Sequence, residues 1–421
     1  MYTIAMSSLR VAIVGGGVVG LCCAFELQRR GADVLVLERD QCGHGASWGN
    51  AGWIVPALSA PLATPGALRR ALLSMRQPSS PVRVKARADL ELLRWTRYFA
   101  QCSTRRRHAS GLTARLLLGA NAVAQFDALA SAGVEFEMHR QGLLVLALTE
   151  SSLEAAHSEL AQVAESGYRG AITPLTGARV RSFEPAVSNG VVGGIFLENE
   201  RYLRPETLIR GLQSFLLEHG AEIREQTAVH ELEKATRRWR VRTSTDTHHA
   251  DRVILAAGSW TAHLLRPLGF RLPLQPARGC SVTATGRGAA PRRALKLLDG
   301  RVACTPFDGA VRLSGTFDLH GPDRTLDKAR LQTVIQSARP YFRDWSPEDS
   351  ELQWSGSRAV SPDDLPFIGS LPNHDELFVA TGHGTLGVTL APATASFLAP
   401  IVIDGQPSTS LDAFRPDRFG L

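Results

Sequence analysis

Four residues near the start of the chain carry the first chemistry that can be read from it. Gly15, Gly17 and Gly20 stand in the spacing G-x-G-x-x-G directly after the apolar run Val11-Ala-Ile-Val14, and Glu38 closes the next apolar run. In that setting Gly15 permits a tight turn, Gly17 lets backbone approach a pyrophosphate, and Gly20 permits close helix–strand packing. A helix opening at this point, with Val19 in its first turn, offers free N–H groups and the positive end of its dipole to a diphosphate. Glu38 can accept both hydroxyls of a ribose and would repel a 2′-phosphate, which disfavours NADP. These residues specify a dinucleotide and leave FAD and NAD both open. After Glu38 come Arg39 and then Gly45-Ala-Ser47-Trp-Gly-Asn50-Ala51-Gly52-Trp53-Ile54. A small, polar, glycine-broken loop has amides and hydroxyls free to wrap the flavin side of a cofactor. An ordinary surface loop is the plain alternative, but Trp48, Trp53 and Ile54 fit water poorly.

To position these groups, residues 10–39 must form strand, glycine turn, helix and strand. A helix over 21–30 stops at Gly31, and 34–37 is a second strand. Apolar runs without alternation suit a parallel sheet covered on both faces. Residues 67–132 read as helical, most clearly over 90–99 and 116–129. Strands are expected over 142–148 and 190–197, and helices over 151–165 and 205–220, the latter with Pro205 in its first turn. An alternating strand at 238–243 precedes a buried one at 253–258, which ends in Ala257-Gly258. Short strands near 302–306 and 311–315 lead to a helix over 328–338, and the chain after 354 returns to strand, loop and helix. Nucleotide-type segments at both ends and in the middle imply a cofactor domain interrupted by a second domain.

Composition agrees with a globular chain of two domains: 421 residues, 44% hydrophobic and 21% charged. The net charge of +7 is partly local, with eleven Arg and Lys between 69 and 107 against Asp89 and Glu91. Solvated helix faces explain that plainly; a surface touching anionic lipid or an acidic electron acceptor explains it more sharply. No nucleic-acid partner is expected, because no RRM, helix-turn-helix or zinc-finger pattern accompanies the charge. The six cysteines, at 22, 23, 42, 102, 280 and 304, lack metal or disulfide spacing and fit a reducing cytoplasm. The twelve histidines are scattered, and neighbours His248 and His249 would face opposite sides of a strand, so no metal is expected. Residues 1–10 are too short for a signal peptide. Stretches 41–68 and 377–403 are uncharged, but prolines and glycines break them, so no membrane span is expected.

Further motifs carry a resemblance. Val253 to Gly258 (as Val-Ile-Leu-Ala-Ala-Gly), Pro276-Ala-Arg278-Gly279 and Trp354-Ser-Gly356-Ser-Arg358 are followed by Ser361-Pro-Asp-Asp-Leu-Pro-Phe-Ile-Gly369 and Thr381-Gly-His-Gly-Thr-Leu-Gly387. With the fingerprint and the Ser47…Asn50-Ala51-Gly52 loop, nearly the whole chain resembles the D-amino-acid-oxidase-like (DAO) superfamily of FAD-dependent oxidoreductases. Within it the chain looks most like the bacterial D-amino acid dehydrogenases. The resemblance implies an α/β fold in which an FAD-binding Rossmann-like domain of the glutathione-reductase type is interleaved with an α+β substrate domain containing an antiparallel sheet. The first would comprise 1–60, 204–262 and 352–421, the second 61–203 and 263–351.

The resemblance also implies roles. Arg358 matches the arginine that pairs with a substrate carboxylate, a task suited to the bidentate guanidinium fork. Gly382, His383, Gly384, Thr385, Leu386 and Gly387 would place the N-terminus of a helix, starting near Thr385, against the flavin pyrimidine ring. His383 is expected to contact cofactor and substrate without acid–base work, and Trp53 to face the substrate. The Val229 backbone would meet the adenine, with Ala257 and Gly258 also against the cofactor. No cysteine lies near the C-terminal motifs, so noncovalent FAD is expected. Two departures put the side-chain pocket in doubt: Ala359-Val360 follows Arg358 where relatives usually have proline, and Pro56-Ala-Leu58 lacks an aromatic often found there.

The implied reaction is hydride transfer from the α-carbon of an amino acid, most readily a D-amino acid, to flavin N5. The resulting imino acid hydrolyses to a 2-oxo acid and ammonia. Electrons would pass to a respiratory quinone or to oxygen, with the basic segment suited to peripheral contact with the inner face of the cell membrane. Three rivals stand beside this: a secondary or cyclic amino acid (hydroxyproline, proline, sarcosine) or glycine as substrate; an FAD-carrying subunit without chemistry of its own; and, with less support, an NAD-dependent dehydrogenase.

Overall fold

The computed structural model describes residues 8–74, 82–84, 89–236, 238–319, 321, 325–405 and 409–420. The expected basic surface over 69–107 lies partly outside the described residues, at 75–81 and 85–88. Strand Arg10–Val14 pairs in parallel with Asp33–Leu37 on one side and Arg252–Leu255 on the other. Glu222–Arg224 extends the sheet at one edge; His374–Thr381 and its antiparallel partner Phe367–Leu371 extend it at the other. Both faces are covered, which is why the central runs are continuously apolar. One cover is the helix Val18–Arg29, packed against Gly387–Asp404 and Pro205–Glu218, where Phe25 and Phe215 meet at 5.0 Å. The other includes the antiparallel meander Val229–Lys234, Trp239–Thr243 and Thr247–Ala250, which contributes Leu232, Trp239 and Val241 to the core.

The second layer is a nine-stranded sheet. Its strands run in the order Ser346–Val360, Gln275–Arg287, Ala310–Leu319, Val302–Phe307, Ala294–Leu297, Leu143–Ala147, Gly193–Leu197 and Ile172–Thr176, with Val82–Val84 beside Ala310–Leu319. The sheet is mixed: two pairings, Ala294–Leu297 with Leu143–Ala147 and Val82–Val84 with Ala310–Leu319, are parallel. The helix Lys328–Ala338 packs on it, at the bounds the periodicity predicts.

Several expectations change. The helix expected over 116–129 is two helices, Arg105–Gly119 and Ala122–Ser131. Gly119 and Asn121 flank the break, and both are poor helix-interior residues. The helix after the glycine turn begins at Val18 rather than at 21, and the C-terminal helix at Gly387 rather than near Thr385. Strand Ser346–Val360 runs across the boundary expected at 352, because its pairing with Gln275–Arg287 continues on both sides of that point. Trp354 and Arg358 therefore stand on the larger sheet. All six cysteines are free and buried. Among the described residues one helix, Gly387–Asp404, is long and apolar enough to cross a membrane. Most of it is buried in the core against Val18–Arg29.

Candidate active site

The glycine turn is forced by contact. Gly15 has φ +111°, and a Cβ on it would lie 2.6 Å from the Ala256 carbonyl oxygen; one on Gly20 would lie 2.0 Å from that of Gly15. Gly17 is the N-cap of Val18–Arg29 and has no side chain to cap it, so past the Val18 N–H the first turn keeps open amides. These amides are available to an anion. The Ser47 hydroxyl accepts from the Val18 N–H at 3.0 Å, which leaves its own hydrogen free to donate. Glu38 is clamped beside the turn by the N–H groups of Gly16 and Asp40, at 2.8 and 2.9 Å. The Thr227 N–H donates to the Glu38 carbonyl at 2.7 Å, holding residues 227–229 next to this carboxylate. Arg39 stacks on Trp260 at 4.4 Å.

The loop after Glu38 is moulded by the larger sheet. In an antiparallel sheet, residues directly opposite one another share a face, so Thr305, Arg312 and Thr283 form one row and Ala303, Ser314 and Ser281 another. From these rows Ser281 donates to the Gly49 carbonyl at 2.6 Å, Arg312 to that of Asn50 at 2.9 Å and Thr305 to that of Ala51 at 2.9 Å. The buried Arg312 is neutralised by Glu206. Asn50 closes its own turn, donating to the Ser47 carbonyl at 2.5 Å and accepting from the Gly52 N–H at 2.6 Å. The Trp53 indole N–H is tied to Thr305 at 2.8 Å, so its ring is a fixed wall.

Arg358 lies in a third row, Arg358–Ala277–Leu319, on adjacent strands of the same sheet. The backbone is reshaped for it. A bulge falls between Arg278 and Cys280, Thr316 adopts φ +64°, and a Cβ on Gly279 would strike the guanidinium at 2.1 Å. Arg358 donates to the Thr316 carbonyl at 3.3 Å. Burial lowers its pKa, yet an arginine stays charged. Among the described residues no carboxylate pairs with it: nearby Asp318 is taken by Arg330 at 2.6 and 3.0 Å. A cation shielded from water without an anion is costly, and this half-buried one faces a cavity.

The C-terminal motif closes the site. Gly382 and Gly384 have φ +81° and +56°, and Gly384 donates to the Ala359 carbonyl at 2.9 Å. A Cβ on Gly384 would lie 2.4 Å from Asp364, itself fixed by Arg115 at 2.5 Å and the Leu62 N–H at 3.0 Å. His383 bonds Thr394 at 2.9 Å, and burial pushes its pKa down to about 3, so the ring is neutral. The helix Gly387–Asp404 starts here, directing its free N–H groups inward.

One cavity of about 1510 Å³ joins these parts, beyond the roughly 300–1,000 Å³ of a single small-ligand site. It runs past Glu38, Val229, Gly17, Ser47, Gly52, Ala257, Gly258 and the 382–387 segment to Trp53 and Arg358. Every residue that the sequence assigned to cofactor or substrate lines it except Gly20, which acts through packing. The length, the open amides of the first helical turn and the clamped carboxylate fit a dinucleotide, and space remains at the Arg358 end. Sequence reading missed Ser281, Thr305 and Arg312, because a residue holding a distant loop carries no local signal. It also passed over Glu137, His139 and Asp308, which cluster outside the cavity. There Glu137 already accepts from His139 at 2.7 Å and from the Asp308 N–H at 2.9 Å.

A family model described as FAD dependent oxidoreductase (DAO) matches residues 10–400. A D-amino acid dehydrogenase of Chromohalobacter salexigens is 31% identical over 409 residues, covering 95% of this chain and 97% of that one. Among solved structures, glycine oxidase from Geobacillus kaustophilus superposes with TM-score 0.77 at 21% identity, covering 98% and 99% of the two chains. L-α-glycerophosphate oxidase from Mycoplasma pneumoniae, solved with FAD bound, gives 0.73 at 18% identity and 98% coverage of each. The chain belongs to the DAO family of FAD-dependent oxidoreductases. FAD is its cofactor.

Proposed function

We propose that this enzyme oxidises a D-amino acid to the imino acid and passes the electrons to a membrane-borne acceptor. The observation that carries the reading is the half-buried guanidinium of Arg358, without a carboxylate partner, at the end of the cavity. A carboxylate is the anion its fork fits best. When bound, FAD supplies the hydride acceptor. The protein supplies position: Arg358 fixes the carboxylate and hence the direction of the α-C–H bond. As the hydride leaves, the lone pair of the neutral amine forms the C=N bond, and water later displaces ammonia. No strong base is required. His383 stands on this wall neutral and tied to Thr394, in keeping with a route that abstracts no proton from carbon. The amides at the N-terminus of Gly387–Asp404 and those of Gly45, Ala46, Asn50 and Ala51 line the cavity and would hold the cofactor electrostatically.

The D-configuration is supported by the Chromohalobacter relative. A carrier subunit without chemistry would have no use for a half-buried arginine that faces the cavity without a carboxylate partner. Delivery at the inner face of a membrane is supported by the helix Leu90–Cys102, which exposes Leu90 and Leu93 at 82% and 67% beside Arg94 and Arg97. Anaerobic mixing of the yellow protein with D- and L-amino acids, glycine, proline and sarcosine tests the reading. Bleaching by D-amino acids is expected, followed by reoxidation with a quinone. Arg358→Ala should keep the yellow colour and lose turnover by a hundredfold or more; near wild-type activity would overturn the assignment.

A further inference from the structure

We infer that the helix Leu90–Cys102 and the strand Ala310–Leu319 form the compartment for the substrate's side chain, and that this compartment selects large apolar amino acids. The inference rests on the amino acid reading above and narrows it.

Leu92, Trp95, Thr96 and Phe99 fall at i, i+3, i+4 and i+7, which is one face of a helix, and all four line the cavity. That face lies over the sheet beside Arg358. The Trp95 indole donates to the Val360 carbonyl at 2.9 Å, two residues beyond the guanidinium on the same strand. Trp95 and Phe99 stack with centroids 5.0 Å apart. On the sheet, Leu319 shares the row of Arg358 across Ala277, and Phe317 stands two residues before it; both line the cavity. Ala277 in the intervening strand is fully buried under this cluster, and Gly279 makes room for the guanidinium itself, so the wall and the anchor sit side by side on one sheet face. Trp95, Ala277 and Val360 form one apolar cluster, with Phe99, Phe317 and Leu319 packed against it.

The wall has a definite preference. None of Leu92, Trp95, Phe99, Phe317, Leu319 or Val360 bears a charge, so a second carboxylate or an ammonium directed here would be buried without a partner. Glycine and sarcosine would leave the aromatic surface unfilled, and each apolar group missing from a fitted pocket costs specificity. A branched or aromatic side chain fills it.

The test is anaerobic reduction of the FAD-loaded protein by alanine, leucine and phenylalanine, each enantiomer, with glycine and sarcosine alongside. The expected result is a kcat/KM that rises at least tenfold from alanine to leucine or phenylalanine. Phe99→Ala and Phe317→Ala, both at partly accessible positions, should reduce the phenylalanine-to-alanine ratio about tenfold while the flavin spectrum stays intact. Trp95→Ala risks the fold, so the two phenylalanine variants carry the comparison. Equal rates for small and large substrates, or a ratio insensitive to both variants, would overturn this inference and leave the amino acid reading standing. Failure of every amino acid to bleach the flavin would bring down both.

Discussion

At position 279 a hydrogen stands where any other residue would place a carbon 2.1 Å from the Arg358 guanidinium. The obstructed atoms belong to the far end of a flexible side chain, so Gly279→Ala should fold with little loss of stability. The anchor would move instead. We predict a KM for the amino acid raised tenfold or more, with kcat falling less and the melting temperature within a few degrees of wild type; an unchanged KM would show that Arg358 is not the anchor. The pair Arg358 and Gly279 was legible in the sequence as motif letters. The reason for the glycine was not, because it depends on a bulge and on Thr316 at φ +64°, neither of which has a sequence signature. His383 shows the same division. Its place on the cavity wall was legible, whereas its pKa near 3 follows from complete burial against Thr394. Between pH 6 and 9 the pH profile of kcat should therefore carry no ionisation that disappears in His383→Gln.

Among the elements, those with a strong local signal fell where the sequence put them. The parallel strands and the helix Lys328–Ala338 are examples, since burial on both faces and a capping Asp327 are local properties. The division between layers was harder to read, because Gln275–Arg287 stays the partner of Ser346–Val360 on both sides of 352, and the Pro347 and Gly356 within that strand mark no change of sheet. The moulding of the flavin loop was wholly hidden, although it follows from three donors on one sheet face. Thr305 is the most exacting of them, accepting from Trp53 and donating to Ala51. Thr305→Val should leave an indole N–H and a carbonyl buried without partners, at about 1–3 kcal/mol each. Chemical denaturation should register that loss, and FAD should dissociate more readily; unchanged stability would mean that the loop relaxes onto other partners.

For the whole molecule, Glu200 links distant parts. It accepts from the Tyr168 hydroxyl at 2.5 Å and from the Ala57 N–H at 3.3 Å, joining the end of helix Glu150–Glu165 to the turn behind the flavin loop. Burial raises its pKa from 4.5 to about 8. The folded protein therefore keeps a proton that the unfolded chain has released, so this group favours folding fully below pH 4.5 and progressively less up to pH 8. The melting temperature should fall across that window, and Glu200→Gln should flatten the fall and raise stability at pH 8. A slope indifferent to the substitution would assign it to other groups. The edge strand of the larger sheet has a different consequence. Trp354 beneath the flavin loop and Arg358 at the anchor are four residues apart on one extended segment, so that segment is a ruler between cofactor and substrate. Adding or removing one residue between them would turn the anchor to the opposite face, which makes the ruler intolerant of insertion. The helix laid across it carries no such constraint. A change of side-chain specificity in this chain is therefore expected to come from exchanging the cover while the ruler stays fixed.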